Sequence, residues 1–183
     1  DKLTNEIGTE SYAAVCGYEP EFIKIENMAV GSSLTLENPP NKKYKGESSH
    51  ALINGMGGTI NYQDKSWQGF EAEDLIAIID LGSAKTINAV EVRFLQSQVF
   101  WIFLPYHIQI EHSSDGKNFE LIYEDFPSNN FSFEQKIISY KANLGPLESR
   151  FIRVKGYNID QCPDYHPGAG GPSWIFSDEI IIN

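Results

Sequence analysis

Basic residues are scarce in this chain. Its 183 residues include 14 Lys and Arg against 25 Asp and Glu, a formal net charge of -11. Nucleic acid and anionic membrane surfaces both call for a basic footprint, so this balance argues against either partner. It suits a neutral ligand or a cation. Cysteine is scarcer: Cys16 and Cys162 are the only two. Two cysteines build no disulfide framework, and no pair has zinc spacing. We read them as free buried thiols not bonded to each other, because nothing else ties the segment around Cys16 to the loop around Cys162. No apolar run reaches the roughly 18 residues a membrane-spanning helix needs.

Catalytic signatures are missing too. There is no phosphate-cradling glycine motif, no HExxH pair and no GxSxG elbow. His107 and His112 fall on opposite faces of one expected strand and cannot share a site. The adjacent acids Asp178-Glu179, Glu73-Asp74 and Glu124-Asp125 project to opposite sides wherever the chain is extended. Carboxylates so placed cannot flank one glycosidic bond. The chain reads as a non-enzyme.

What is present is material for a β-rich core. Hydrophobic residues make up 41% of the chain and aromatics 13%, enough for one domain. Leu75–Leu81 is nearly all apolar, and Ile87–Leu95 places Val90, Val92 and Phe94 on one face. Tyr106–His112 alternates around Ile108 and Ile110, Ser113-Ser114-Asp115-Gly116 signals a turn, and Phe119–Tyr123 returns. Lys136–Tyr140, Phe151–Tyr157 and Glu179–Ile182 complete a series of short strands, and no helical stripe of useful length intervenes. The expected fold is an all-β sandwich. Residues 1–21 are acidic and weakly patterned and read as a linker or arm from a preceding module, with the domain over 22–183. The segment Gly156–Asn183 gathers Cys, Pro, Asp, Tyr, His and Gly into one elaborate loop before the last strand, the kind of loop on which all-β domains place binding sites.

Several motifs together resemble the discoidin, or coagulation factor type C, domain. Ala51-Leu52-Ile53-Asn54-Gly55-Met56-Gly57-Gly58-Thr59 is similar to its A-x-x-D-G-x-x-x-T opening. Ile79-Asp80-Leu81-Gly82, Ser114-Asp115-Gly116, Arg150-Phe151-Ile152-Arg153-Val154 and Ser177-Asp178-Glu179-Ile180 follow in the family's order. Trp67-Gln68-Gly69-Phe70, Trp101-Ile102-Phe103-Leu104-Pro105 and Cys162-Pro163 with His166-Pro167-Gly168-Ala169-Gly170 and Trp174 resemble the module at the C-terminus of bacterial chitobiases and β-hexosaminidases. The resemblance implies a jelly-roll, galactose-binding-domain-like sandwich. It implies a non-catalytic carbohydrate-binding module of a secreted, periplasmic or cell-surface glycan-degrading protein, with a catalytic domain preceding it in the same polypeptide. The alternative is a structural domain that braces such a neighbour and binds no sugar.

The resemblance also implies sites. A structural calcium would take the side chains of Asn54, Thr59 and Glu179 and backbone oxygens near Ala51, Met56 and Asp178. Calcium accepts six to eight oxygens and tolerates carbonyls. Asn54 replaces the family's Asp, which removes a charge, and an ion-free turn held by hydrogen bonds remains the other reading. The glycan would meet Gln98, Phe100 and Trp101 in one loop and Asn158, Asp164, Tyr165 and His166 in another. Trp67, Phe103 and Trp174 are expected in the core, and His166 is either a loop anchor or a ligand contact. Asn130-Phe131-Ser132 matches an N-glycosylation triplet, which we read as chance.

Overall fold

A computed structural model describes residues 23–183. The expected arm over residues 1–21, and Cys16 within it, lie outside the described residues. The elements are β1 (Ile23–Lys24), β2 (Ser33–Leu36), β3 (Met56–Gly57), β4 (Gln68–Glu71), β5 (Leu75–Gln96), β6 (His107–Ser113), β7 (Glu120–Asp125), β8 (Lys136–Tyr157) and β9 (Trp174–Ile182). One-turn 3-10 helices span Lys42–Tyr44, Ala51–Ile53 and Gln98–Phe100. Among the described residues no helix is long and apolar enough to cross a membrane.

Two strands organise the sandwich. β5 and β8 each run 22 residues and pair antiparallel along most of their length. The pairing register shifts between Asp80 and Lys85 and again between Ile87 and Ala89. There the strands bend, and Gly82 adopts φ 81°, which an L side chain resists. The first half of β5 pairs with β2, and the last part of β8 pairs with β6, whose other edge holds β7. The second half of β5 pairs with β9, and β9 with β4. The halves thereby form two facing layers, an antiparallel sandwich of the kind the alternating apolar positions predict. The sequence suggests Leu75–Leu81 and Ile87–Leu95 as separate strands, and likewise Lys136–Tyr140 and Phe151–Tyr157. The structure makes each pair the two arms of one bent strand.

The core lies between the layers. Leu75, Ala77, Ile79, Ile152, Val154, Ile108 and Ile110 face Val90, Val92, Phe94, Ile180 and Ile182, all fully buried. A satellite cluster of Trp67, Leu95, Ile102 and Phe176 sits under Tyr44, Tyr62 and Trp174. Trp67 and Phe103 are buried as expected, and Trp174 partly so. The turn after β6 forms as its sequence indicates. The Asp115 carboxylate accepts from the Lys117 and Asn118 amides at 2.8 Å, and these bonds hold its pKa well below the usual carboxylate range.

Candidate functional site

The loop after β5 and the loop after β8 meet at one end of the sandwich. Trp101 takes a left-handed conformation with φ 65°, its amide donating to the Gln98 carbonyl at 2.8 Å. Its carbonyl accepts from the Trp174 amide at 2.9 Å. Part of its ring is covered by the glycine turn that follows His166. A Cβ placed on Gly168 or Gly171 would lie 2.6 Å from the Trp101 ring, so those positions require glycine.

Three of the residues expected to touch ligand instead hold the loops. Gln98 is buried: its amide donates to the Asn130 carbonyl at 2.9 Å and accepts from the Ser132 amide at 3.0 Å. His166 is buried against Phe103 and Trp101. The Gly168 amide donates to its Nδ1 at 3.0 Å, so Nε2 carries the proton and donates to the Gln98 carbonyl at 2.7 Å. His166 is therefore a loop anchor. Asn158 is buried, accepting from the Asp160 amide and the Ser173 hydroxyl and donating to the Phe70 and Glu73 carbonyls. These polar tips are spent inside the protein because a buried amide or imidazole without partners costs about 1–3 kcal/mol.

The exposed members of the expected set are Phe100, Trp101, Asp164 and Tyr165. Phe100 turns away from the others and packs on Tyr62, ring centroids 4.6 Å apart. Trp101 borders a cleft of about 130 Å³ whose opposite wall is Phe131 and Phe133. Those two rings pack edge to face at 4.6 Å, and Phe131 meets Tyr165 at 5.8 Å. Phe133 is 72% exposed, Phe131 47%, Tyr165 44% and Trp101 36%. Three exposed aromatic rings around one cleft, with Tyr165 packed on Phe131 beside it, form a patch that a soluble surface ordinarily avoids. The segment bearing Phe131 and Phe133 has no regular structure, yet it is pinned. Gln98 holds Asn130 and Ser132, Asn129 pairs with both the amide and the carbonyl of Leu104, and Tyr165 donates its hydroxyl to the Asn129 carbonyl. Sequence reasoning missed Phe131 and Phe133. The available signal was an aromatic pair inside a stretch of Pro, Ser and Asn, where no strand could bury it.

The second constellation joins the loop around Asn54–Thr59 to β9. Glu179 is fully buried. Its Oε1 accepts from the Gly55 amide at 2.8 Å and the Asn27 amide group at 2.6 Å. Its Oε2 has no partner. Burial pushes its pKa from the ordinary 4.5 up to about 7, against the pull of those bonds. Asp178 is equally buried, and burial pushes it up to about 6 although Arg93 pairs with it at 3.1 Å and the Gly58 amide donates at 2.7 Å. Its Oδ1 is also without a partner. Asn54 accepts from the Met56 amide at 2.9 Å, and the Thr59 hydroxyl donates to Asp64 at 2.6 Å. Ala51 is buried in the short helix just before. Among the described residues no group of three or more His, Cys, Asp and Glu gathers for a metal. A cation with oxygen ligands would have to lie on the Glu179 side, where one carboxylate oxygen has no partner. It does not fit between both carboxylates, since Arg93 already answers Asp178.

No protein-family model matches the chain, and none of the curated proteins matches it. Solved structures do. One is the chitosan-binding module 1 from a Paenibacillus sp. IK-5 chitosanase/glucanase, with TM-score 0.55 and 13% identity over 86% of this chain and 98% of that one. Another is the Clostridium perfringens CpGH89CBM32-4, bound to GlcNAc-α-1,4-galactose, with TM-score 0.51 and 16% identity over 91% and 98%. A Ruminococcus gnavus GH29 fucosidase matches at TM-score 0.56 and 14% identity, covering 86% of this chain but 26% of the enzyme. At these identities the likeness establishes the fold: a galactose-binding-like β-sandwich of the type seen in CBM32 modules.

Proposed function

We propose that the chain is a non-catalytic carbohydrate-binding module whose sugar-facing surface is the aromatic rim of Trp101, Phe131, Phe133 and Tyr165. The observation that carries this reading is the gathering of exposed rings around one pinned cleft, on a fold that neighbours use to hold sugars. Sugar rings present C–H faces that stack on aromatic faces, while their hydroxyls seek short polar partners. Gln98 and His166 support the rim from beneath, and Asp164 and Ser132 stand beside it. The cleft is shallow and buries little ligand, so affinity is weak and depends on several sugar units or several modules. A neutral glycan makes binding nearly independent of salt.

The motifs around Trp67, Trp101 and Cys162–Trp174 support placing the module beside a chitobiase- or hexosaminidase-like catalytic domain of the same polypeptide, in a secreted, periplasmic or cell-surface protein. The orphaned Oε2 of Glu179 supports a structural calcium there. Glu179 would be the charged ligand, with Asn54 and Thr59 side chains and backbone oxygens of Ala51, Met56 and Asp178 around it. Such an ion would supply the positive charge the site lacks.

The exposed rim also suits a bracing contact with a neighbouring domain, and one experiment separates the two readings. The isolated chain is screened on a glycan array and hits are titrated by calorimetry. A hit lost in Phe133→Ala, with the melting temperature unchanged, is the expected result. No binding by any glycan at millimolar concentration would overturn sugar recognition and leave the bracing role.

A further inference from the structure

The lysines of this acidic chain are not spread evenly. Lys42, Lys43, Lys45 and Lys65 line two adjoining clefts of about 480 Å³ each, which share the loop from Lys42 to Glu47. All four are exposed. Among the described residues none of them forms an ion pair. Two acids share the clefts: Glu47 lines both and Asp64 lines the second. Glu47 accepts from the Asn54 amide group at 3.1 Å, and Asp64 accepts from the Thr59 hydroxyl. The four lysines outnumber those two acids and pair with neither, so the clefts keep a local positive excess in a protein whose formal net charge is -11.

The loop is a built feature. Asn41 caps the short helix by accepting from the Lys43 amide at 3.0 Å. Gly46 has φ 72°, and a Cβ there would stand 2.5 Å from that of Ala51. Gln68 is almost fully buried at the floor of the first cleft, and its amide group donates to the Lys45 carbonyl at 3.0 Å. The Oε1 of Gln68 has no donor, although almost every buried acceptor has one. The facing wall is apolar, formed by Leu34, Leu36, Pro39 and Pro40.

The geometry points to a second ligand site in these clefts, specific for an acidic saccharide. The apolar wall takes the C–H face of a sugar ring, and the ammonium groups of Lys42 and Lys45 take its carboxylate or sulfate substituents. The unanswered acceptor on the floor matches a ligand rich in hydroxyl donors and not a bare anion. This site shares no lining residue with the aromatic rim. It stands or falls apart from the function proposed there.

The test uses the intact chain in calorimetric titrations with a galacturonate tetrasaccharide, a chondroitin sulfate tetrasaccharide and a neutral β-1,4-galactan tetrasaccharide. With the rim disabled by Phe133→Ala, at least one acidic probe should bind more tightly than the neutral one. That binding should weaken about tenfold as NaCl rises from about 20 to about 300 mM. It should weaken by about the same factor in K42Q/K45Q and persist in Phe133→Ala. The probe that binds tells carboxylate from sulfate recognition. Equal binding of the neutral probe in the Phe133→Ala protein would overturn the inference, as would no binding of either acidic probe. So would full retention of binding in K42Q/K45Q, loss of acidic-probe binding in Phe133→Ala, or displacement by equimolar sodium sulfate.

Discussion

Glu179 offers a stability test whose sign and size both follow from the structure. Its carboxyl is buried with one oxygen bonded and one without a partner. The unfolded chain releases this proton near the ordinary 4.5, whereas the folded chain keeps it to about 7. Between those values the folded state binds more protons than the unfolded state, so stability falls as pH rises. The interval from 4.5 to about 7 corresponds to about 3 kcal/mol lost across the window. Asp178, raised from 3.8 to about 6, adds to the slope in the same direction. Glu179→Gln keeps an acceptor for Gly55 and Asn27 but cannot ionise. Urea denaturation in excess chelator at several pH values between about 4.5 and 7.5 gives the slope for both proteins. Their difference cancels carboxylates common to both, such as Asp80 and Glu111, whose pKa values are lowered by hydrogen bonds and pairing. Wild type should lose stability relative to Glu179→Gln as pH rises. Excess calcium should restore it at neutral pH in wild type only, because the ion binds the folded state. Parallel curves for the two proteins would refute the reasoning about Glu179. No calcium response in wild type would refute the ion.

Two further outcomes test the frame. Trp67→Ala removes a buried indole whose N–H donates to the Thr59 carbonyl at 3.0 Å, and denaturation should show a loss of about 3–5 kcal/mol. Cys162 is buried beside the Pro172 carbonyl, and burial pushes its thiol pKa up. Peptide mapping after brief alkylation of the native protein should find Cys162 unmodified, and rapid labelling would show that the loop opens.

The sandwich was legible because half-buried strands alternate. Val90, Val92, Phe94, Ile108 and Ile110 announce one buried face each, and all are buried. The continuity of β5 and β8 was not legible. A strand that bends from one layer into the other loses its phase at the bend, so each arm reads as a separate strand. Loop polarity was ambiguous for a different reason. Gln98, Asn158 and His166 are residue types that recognise sugars and equally types that tie loops together. Only the packing shows that their atoms are already bonded inward. The lysine-lined clefts were hidden by the net charge, which averages a local basic loop into an acidic whole.

The rim and its support also explain each other. Gln98 touches two segments at once: its side chain holds Asn130 and Ser132, and its carbonyl receives His166. His166 in turn holds the Gly168 amide, and the Gly168 turn seats Trp101. One buried glutamine thus fixes the positions of Phe131, Phe133 and Trp101 relative to one another. A cleft of about 130 Å³ gains little from burying ligand surface. As the glycan site we propose, it would draw its affinity from not having to order its own walls when ligand arrives. Spending the polar side chains on the frame and leaving aromatic faces outside is the arrangement that meets this requirement. It favours ligands recognised by ring shape over ligands recognised by a dense set of hydroxyl contacts.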